Sequence, residues 1–135
     1  MSGPGGVDGP SVYEAVGGQP FFDDLVGRFY RGVADDPTLR PLYPEEDLTG
    51  AEHRLALFLG QYWGGPTTYS DERGHPRLRM RHMPFVVGER ERDAWLAHMT
   101  AALDGAAAAH GVAADVRERM ASYFVMAADA MVNAR

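Results

Sequence analysis

Cysteine is absent from this chain of 135 residues, and that absence removes several kinds of chemistry. Without thiols the chain has no disulfides, no thiolate metal ligands and no cysteine nucleophile, so histidine is its main soft ligand. The chain also lacks the run of about eighteen apolar residues that a membrane-spanning helix needs. Its first ten residues have neither the basic start nor the apolar run of an export signal. We therefore expect a soluble cytoplasmic protein.

Basic side chains are scarcer than acidic ones, 13 against 19, which gives a net charge of −6. This balance disfavours nonspecific binding to nucleic acid or to anionic membranes. Some of the arginines nevertheless form a local basic island, which consists of Arg73, Arg77, Arg79 and Arg81. The island is either a solvated helix surface or the edge of a site for anions, and charge alone leaves both interpretations open.

The period-two alternation of half-buried strands is also missing, whereas apolar residues recur at steps of three and four in several stretches. This pattern predicts an all-α fold with four main helices and short auxiliary ones. The predicted inward residues are Phe22, Leu25, Val26, Phe29, Tyr30 and Val33 in the first helix, Ala51, Leu55, Phe58, Leu59 and Tyr62 in the second, Trp95, Met99 and Leu103 in the third, and Val116, Met120, Phe124, Ala127 and Met131 in the last.

Two short motifs predict where helices begin. Ser11 followed by Glu14, and Thr49 followed by Glu52, both have the spacing of a capping box. The glycine pair that begins at Gly17 predicts an early stop, so the opening helix should be very short.

Glycine and proline divide the rest of the chain. Residues 1–10 are rich in both and predict a disordered tail before one domain over residues 11–135. The polar stretch 64–75 predicts a long irregular connection. Within the alanine-rich segment, Gly105 and Gly111 are the predicted breaks.

Histidine is scarce as well, and His82 stands out among the five. Pro76 suits a first helical turn and Pro84 prevents continuation, which leaves a helix of about two turns between them. Leu78 and His82 then share one face because they are four residues apart. The neighbouring row carries two arginines, Arg77 and Arg81. This arrangement suits a ligand that lies in an apolar pocket and carries anions at its edge.

The other histidines have weaker signals. His53 should face solvent, and His75 precedes a proline. His98 lies on the flank of the third helix with no obvious partner, and His110 falls in the predicted alanine-rich loop. No pair has the H-E-x-x-H spacing of a zinc hydrolase. One histidine beside an apolar pocket fits haem, because its iron needs a single proximal imidazole.

Three aromatic donors also lie among apolar neighbours: Tyr30, Tyr43 and Trp95. A buried phenol or indole normally needs a partner for its polar tip. Taken singly, each of them is explained as an ordinary core residue. If the three tips converge on one cavity, they can bind a small polar species.

Several segments resemble the group II truncated haemoglobins of bacteria: YEAVGG, RFY, LYPEEDLTGAEHRL, FLGQYWGGPTTYSDERGHPRLRMRHMPF and ERDAWL. The resemblance runs from about Ser11 to Asn133. It implies a two-over-two helical sandwich, a shortened globin fold, around haem b. His82 matches the proximal iron ligand. The expected haem contacts are His82, Arg81, Arg77, Leu78, Ala51, Leu55 and Phe58.

The same resemblance assigns Tyr30, Tyr43 and Trp95 to the distal side, where they would hold the sixth ligand. Ala51 occupies the position of a distal histidine, so hydrogen bonds to the ligand must come from these three donors. Each well-aimed donor could contribute about 1–3 kcal/mol. The small Ala51 would also leave a route for diatomic ligands.

These expectations describe a haem protein that binds dioxygen and releases it slowly. Nitric oxide dioxygenation or peroxide-driven oxidation would need a separate reductase, because the chain has no flavin or nicotinamide motif. The chain would be a monomer or a homodimer. The alternative is a non-catalytic sensor or interaction domain of globin fold, in which the three aromatic donors are plain core residues.

Overall fold

The computed structural model describes residues 11–74 and 87–133. The predicted tail and the segment that carries Arg77, Leu78, Arg81 and His82 lie outside the described residues. Within the described ranges the chain is helical and contains no strand, which confirms the all-α prediction. The elements are α1 (Val12–Ala15), α2 (Gln19–Ala34), a 3-10 turn (Arg40–Leu42), α3 (Thr49–Tyr62), α4 (Thr68–Arg73), α5 (Glu89–His110) and α6 (Ala114–Ala130).

Helix α2 is the centre of the packing. Its apolar residues recur at helical spacing, and the whole predicted stripe from Phe22 to Val33 is buried. The helix packs against α3 on one side and α5 on the other, and α5 in turn packs against α6. Because the longer helices share this one core, their facing sides enclose the space described below. None of the described helices is long and apolar enough to cross a membrane.

The first predicted capping box is present, whereas the prediction of a second one at Thr49 is wrong. Ser11 Oγ accepts a hydrogen bond from Glu14 N at 3.2 Å, and Glu14 Oε1 accepts one from Ser11 N at 3.1 Å. At the start of α3, Asp47 Oδ1 instead accepts from both Thr49 N at 2.9 Å and Thr49 Oγ1 at 2.6 Å. The preceding carboxylate therefore takes the place that the Thr49 hydroxyl was expected to fill.

The stretch predicted to be irregular contains helix α4. Its sequence signal is weak because a helix this short gains little from local propensity. A distant side chain holds it: Gln61 Nε2 donates to Ser70 Oγ at 2.7 Å, and Ser70 N donates to Gln61 Oε1 at 3.0 Å. Tyr69, on the inward side of α4, is buried. Tertiary contacts therefore stabilise α4.

The alanine-rich segment is helical up to His110, so the predicted break at Gly105 is wrong, whereas the one at Gly111 is confirmed. Helix α5 ends at Gly111, whose φ of 65° is left-handed. Gly105 serves packing instead, since a methyl group there would lie 2.5 Å from Arg28 Nη1. His110 belongs to the last turn of α5 and not to a loop, and its Nε2 lies 3.0 Å from Asp24 Oδ2 on α2.

Tyr62 differs from its predicted inward position. The side chain is 43% exposed at the end of α3, and its ring stacks on Tyr123 of α6 at a centroid distance of 4.2 Å. The apolar stripe correctly predicted the helix but not the exposure of its last side chain. Tyr62 is exposed because the ring on which it stacks, Tyr123 of α6, lies near the surface.

Candidate functional site

A cavity of about 460 Å³ lies between α3, α5, α6 and the segment that follows α2. This volume is within the range of roughly 300–1,000 Å³ that is typical of ligand pockets. Most of its lining is apolar and comes from several helices. The apolar lining includes Leu39, Leu42, Ala51, Leu55, Phe58, Leu59, Val87, Met99, Phe124, Ala127, Ala128 and Met131.

Every predicted site residue that the structure describes lines this one cavity. The three predicted distal donors line it, and so do the three predicted apolar residues of α3. These residues are Tyr30, Tyr43, Trp95, Ala51, Leu55 and Phe58. The remaining predicted contacts, Arg77, Leu78, Arg81 and His82, lie outside the described residues, and their roles stay predictions.

Tyr30 and Tyr43 form a pair at the cavity wall. Their ring centroids are 5.5 Å apart and their planes are nearly perpendicular. Burial raises the pKa of Tyr30 far above its usual value, and the neighbouring Tyr43 raises this pKa further. Burial also raises the pKa of Tyr43, and the interaction with the Tyr30 hydroxyl offsets part of this rise. Both phenols therefore keep their protons at neutral pH and are available as hydrogen-bond donors.

The backbone around Tyr43 is held by two arginines. Arg40 Nη1 donates to the carbonyl of Tyr43 at 2.7 Å, and Arg40 Nη2 donates to those of Glu45 and Glu46 at 2.6 Å and 3.0 Å. From α3, Arg54 Nη2 binds Glu45 Oε1 at 2.9 Å. A segment without regular structure is thereby fixed by charge-assisted hydrogen bonds, which positions the Tyr43 phenol.

We expect Arg40→Met to release this segment, because three carbonyls lose their cationic donor. The free energy of unfolding should fall by about 1–2 kcal/mol, a value reduced by the partial exposure of the guanidinium. Equilibrium unfolding in urea measures the change. Arg119→Met, at an exposed position of α6, is the matched control and should have little effect. Equal losses in both variants would contradict the role of Arg40.

Trp95 reaches the cavity from α5. Its ring packs edge-on against Phe29 at 5.4 Å and Phe124 at 6.1 Å, so the indole is held between α2 and α6. The start of α5 is fixed by Asn133, whose Oδ1 accepts from Val87 N at 2.8 Å while its own N donates to the Val87 carbonyl at 2.8 Å. The position of the indole is therefore set by packing against two rings and by two hydrogen bonds just before its helix begins.

His98 has a partner that sequence reasoning missed. Its Nε2 lies 2.6 Å from Asp36 Oδ2, across 62 positions of sequence. The other oxygen, Asp36 Oδ1, accepts from the backbone N of Thr38 at 2.7 Å and of Leu39 at 3.2 Å. Leu39 lines the cavity. The signal available in the sequence was the D-P-T turn after α2, which is typical of an Asp that binds backbone amides two and three residues later.

This pair predicts a defined dependence of stability on pH. The hydrogen bond from His98, followed by that from Thr38 N, holds the pKa of Asp36 below its ordinary value of 3.8. A lowered pKa in the folded state contributes stability above the ordinary value, and this stability is lost as pH falls through the folded pKa. The melting temperature of Asp36→Asn should therefore lie below that of the native protein at neutral pH, with the difference closing below pH 3.8.

Melting followed by circular dichroism across this pH range tests the prediction. Asp35→Asn, at the adjacent exposed position, is the control and should follow the native curve. A difference between the native protein and Asp36→Asn that stays constant down to acid pH would contradict it.

Charged side chains of both signs reach the lining: Arg54, Arg73 and Arg92 together with Glu45 and Glu91. Arg54 is paired with Glu45 at 2.9 Å, and Arg92 is paired with Asp129 at 3.0 Å. The apolar interior fits the flat apolar body of a haem, and the three arginines are cations within reach of anionic side chains on such a group. Among residues 11–74 and 87–133, no three histidine or carboxylate side chains come together to hold a bare metal ion.

Two further aromatic residues of the lining were not predicted: Tyr69 and Tyr123. Tyr69 belongs to the unexpected helix α4. Tyr123 is adjacent to the predicted stripe of α6 rather than on it, and no pattern in the sequence distinguishes it from a surface tyrosine.

The chain matches the family of bacterial-like globins over residues 11–133, and it belongs to that family. Its curated relatives include the group 2 truncated hemoglobin YjbI of Bacillus subtilis, which is 40% identical over 121 residues, or 90% of this chain and 87% of the relative. The group assigned from the sequence, the group II truncated haemoglobins, is thereby confirmed.

Solved structures are also similar. One is a thermostable hemoglobin from the actinobacterium Thermobifida fusca, with 59% identity and a TM-score of 0.86 over 91% of this chain and 97% of that one. Another is the hemoglobin of Chloroflexus aurantiacus, with 53% identity and a TM-score of 0.87 over 93% of this chain and 99% of that one. These likenesses confirm the two-over-two helical fold. Membership of the family implies a haem cofactor and haem-based binding of diatomic ligands, dioxygen included.

Proposed function

We propose that this chain is a haem b protein that binds dioxygen reversibly and releases it slowly. The observation that carries the proposal is the convergence of Tyr30, Tyr43 and Trp95 on one apolar cavity. Three hydrogen-bond donors from separate segments are more than core packing requires. They suit a small ligand whose oxygen atoms accept hydrogen bonds.

The proximal side of the proposal rests on the resemblance. His82 would bind iron through one nitrogen of a neutral imidazole, while its other N–H is held by a backbone carbonyl or by water. Arg81, together with Arg77, would pair with the propionates, and Leu78 would contact the ring. When bound, the haem supplies the iron centre at which a diatomic ligand is taken up.

The distal side rests on the geometry. Tyr30 and Tyr43 line the cavity as protonated phenols that can donate to a ligand, and Trp95 adds an indole N–H from α5. Ala51 lines the cavity from α3 and provides no donor, so it leaves space beside the ligand. Retention of dioxygen would then depend on phenol and indole donors instead of an imidazole.

The proposal includes redox chemistry only with a separate source of electrons. Nitric oxide dioxygenation and peroxide-driven oxidation both consume electrons, so a reductase or a small reductant would be a partner. We expect a cytoplasmic monomer or homodimer. In the competing interpretation, a sensor or interaction domain, the three donors would be core residues and their removal would not change ligand release.

A titration with hemin tests the proposal. The tryptophan fluorescence, to which Trp95 at the cavity wall and Trp63 both contribute, should be quenched as hemin is added, and quenching should saturate at one hemin per chain. A protein whose tryptophan fluorescence does not respond, or whose response does not saturate, would contradict a specific haem site.

A further inference from the structure

One aromatic pair connects the cavity to the surface. Tyr123 lines the cavity, and its ring stacks on that of Tyr62 with a centroid distance of 4.2 Å and an angle of 28° between the planes. Tyr62 is 43% exposed and is the exposed one among the chain's six tyrosines, all of which the structure describes. Two stacked rings therefore span the distance from cavity to solvent.

The two phenols have different surroundings. Burial, followed by the neighbouring Tyr62, raises the pKa of Tyr123 to about 12, so this phenol keeps its proton at neutral pH. Tyr62, in contrast, is exposed to solvent. Trp63 packs edge-on against both rings, at 5.0 Å and 5.3 Å, and its buried indole N–H has no acceptor among the described residues.

We propose that Tyr123 and Tyr62 form an electron path between the cavity and the surface, which is used when a peroxide is reduced in the cavity. This inference rests on the proposed function because it requires bound haem. Rings in van der Waals contact exchange electrons readily, and the stacked pair provides such a contact from the wall of the cavity outward.

The electron balance is as follows. Hydrogen peroxide takes two electrons and two protons and becomes two molecules of water. Each electron reaches the cavity through the path when the Tyr62 phenol loses one electron from its ring and one proton to solvent. A one-electron donor from solution, such as a phenol or an enediol, then returns an electron to Tyr62 and releases one proton of its own, while solvent returns the proton of Tyr62. The two protons released by two donor molecules balance the two that the peroxide takes up from solvent. Two such cycles complete one peroxide.

We expect the oxidised residue to be Tyr62, at the exposed end of the path. An oxidised phenol must lose its proton, and a buried phenol without water has few acceptors. Tyr30 and Tyr43 are enclosed by the cavity wall, and burial raises the pKa of both. Tyr62 has solvent as a proton acceptor, so it is the position at which a radical can persist and meet a reductant.

The experiment treats the haem-loaded protein with hydrogen peroxide in the presence of a nitroso or nitrone spin trap, and locates the adduct by peptide mass spectrometry. We expect the adduct on Tyr62 in the native protein. Tyr62→Phe keeps the stack but should lose this adduct. Tyr123→Leu removes the aromatic ring between the cavity and Tyr62 and should lose most of the adduct, although Tyr62 is still present. Tyr13→Phe, whose ring stacks on Phe22 outside the cavity lining, should leave it unchanged.

Two results would overturn the path: an adduct confined to Tyr30, Tyr43 or Trp95 in the native protein, or a native level of Tyr62 adduct in Tyr123→Leu. The Soret band recorded before peroxide is added separates the two proposals. A native protein without this band contradicts the proposed function as well, whereas an intact band with no Tyr62 adduct contradicts the electron path alone.

Discussion

Replacement of His82 by alanine is expected to abolish five-coordinate haem binding. The proposal gives iron one protein ligand, and no second histidine is placed to substitute among the described residues, where His98 and His110 are paired with Asp36 and Asp24. The ferrous spectrum should lose the features of a proximal imidazole, and hemin should be retained weakly through apolar contacts alone. Absorption spectra of the purified variant, before and after extraction of haem with apomyoglobin, measure both effects.

His53→Ala is the matched control for this experiment. His53 lies on α3 with 62% of its side chain exposed, and its Nε2 lies 3.8 Å from Glu72 Oε1. Its replacement should leave the spectrum native. An intact proximal-imidazole spectrum in His82→Ala would contradict the assignment, and loss of haem from both variants would indicate general destabilisation.

Trp95→Phe is expected to accelerate dioxygen release by about tenfold or more, because one hydrogen bond of about 1–3 kcal/mol is removed. Phenylalanine keeps a ring near Phe29 and Phe124, so the packing of the indole is partly retained while its N–H is lost. Stopped-flow measurement of dioxygen dissociation from the ferrous protein gives the rate directly.

Trp63→Phe provides a control with the same chemical change. Trp63 is buried outside the cavity lining, and its N–H has no acceptor within the described part of the chain. The release rate should stay native in this variant. Equal rates for the native protein and Trp95→Phe would show that the indole does not hold the ligand.

The parts of the fold that were predictable are those in which a single segment carries the signal. The stripe of α2 from Phe22 to Val33 is apolar at every inward position, and all of it is buried. The box formed by Ser11 and Glu14 is local as well, and it is present. The placement of the three aromatic donors on one side of a site was predictable from the resemblance to the group II truncated haemoglobins, whereas each donor by itself is explained as an ordinary core residue.

The parts that were not predictable depend on contacts between distant segments. Helix α4 is held by Gln61, and Gly105 makes room for Arg28 of another helix. The same applies to the pair of His98 and Asp36, which no local pattern joins. The spacing of Tyr62 places it on the inward stripe of α3, yet its ring is exposed and stacks on Tyr123 of α6. In each case a tertiary contact outweighs a weak local preference.

The central claim, that this chain holds haem and that its haem takes up dioxygen, is tested most directly by the absorption spectrum of the purified ferrous protein. The spectrum is recorded under argon, after addition of oxygen, and after addition of nitric oxide. We predict a Soret band that shifts with each gas and returns when oxygen is removed. A purified protein without a Soret band after hemin has been supplied, or a band that neither gas shifts, would contradict the account.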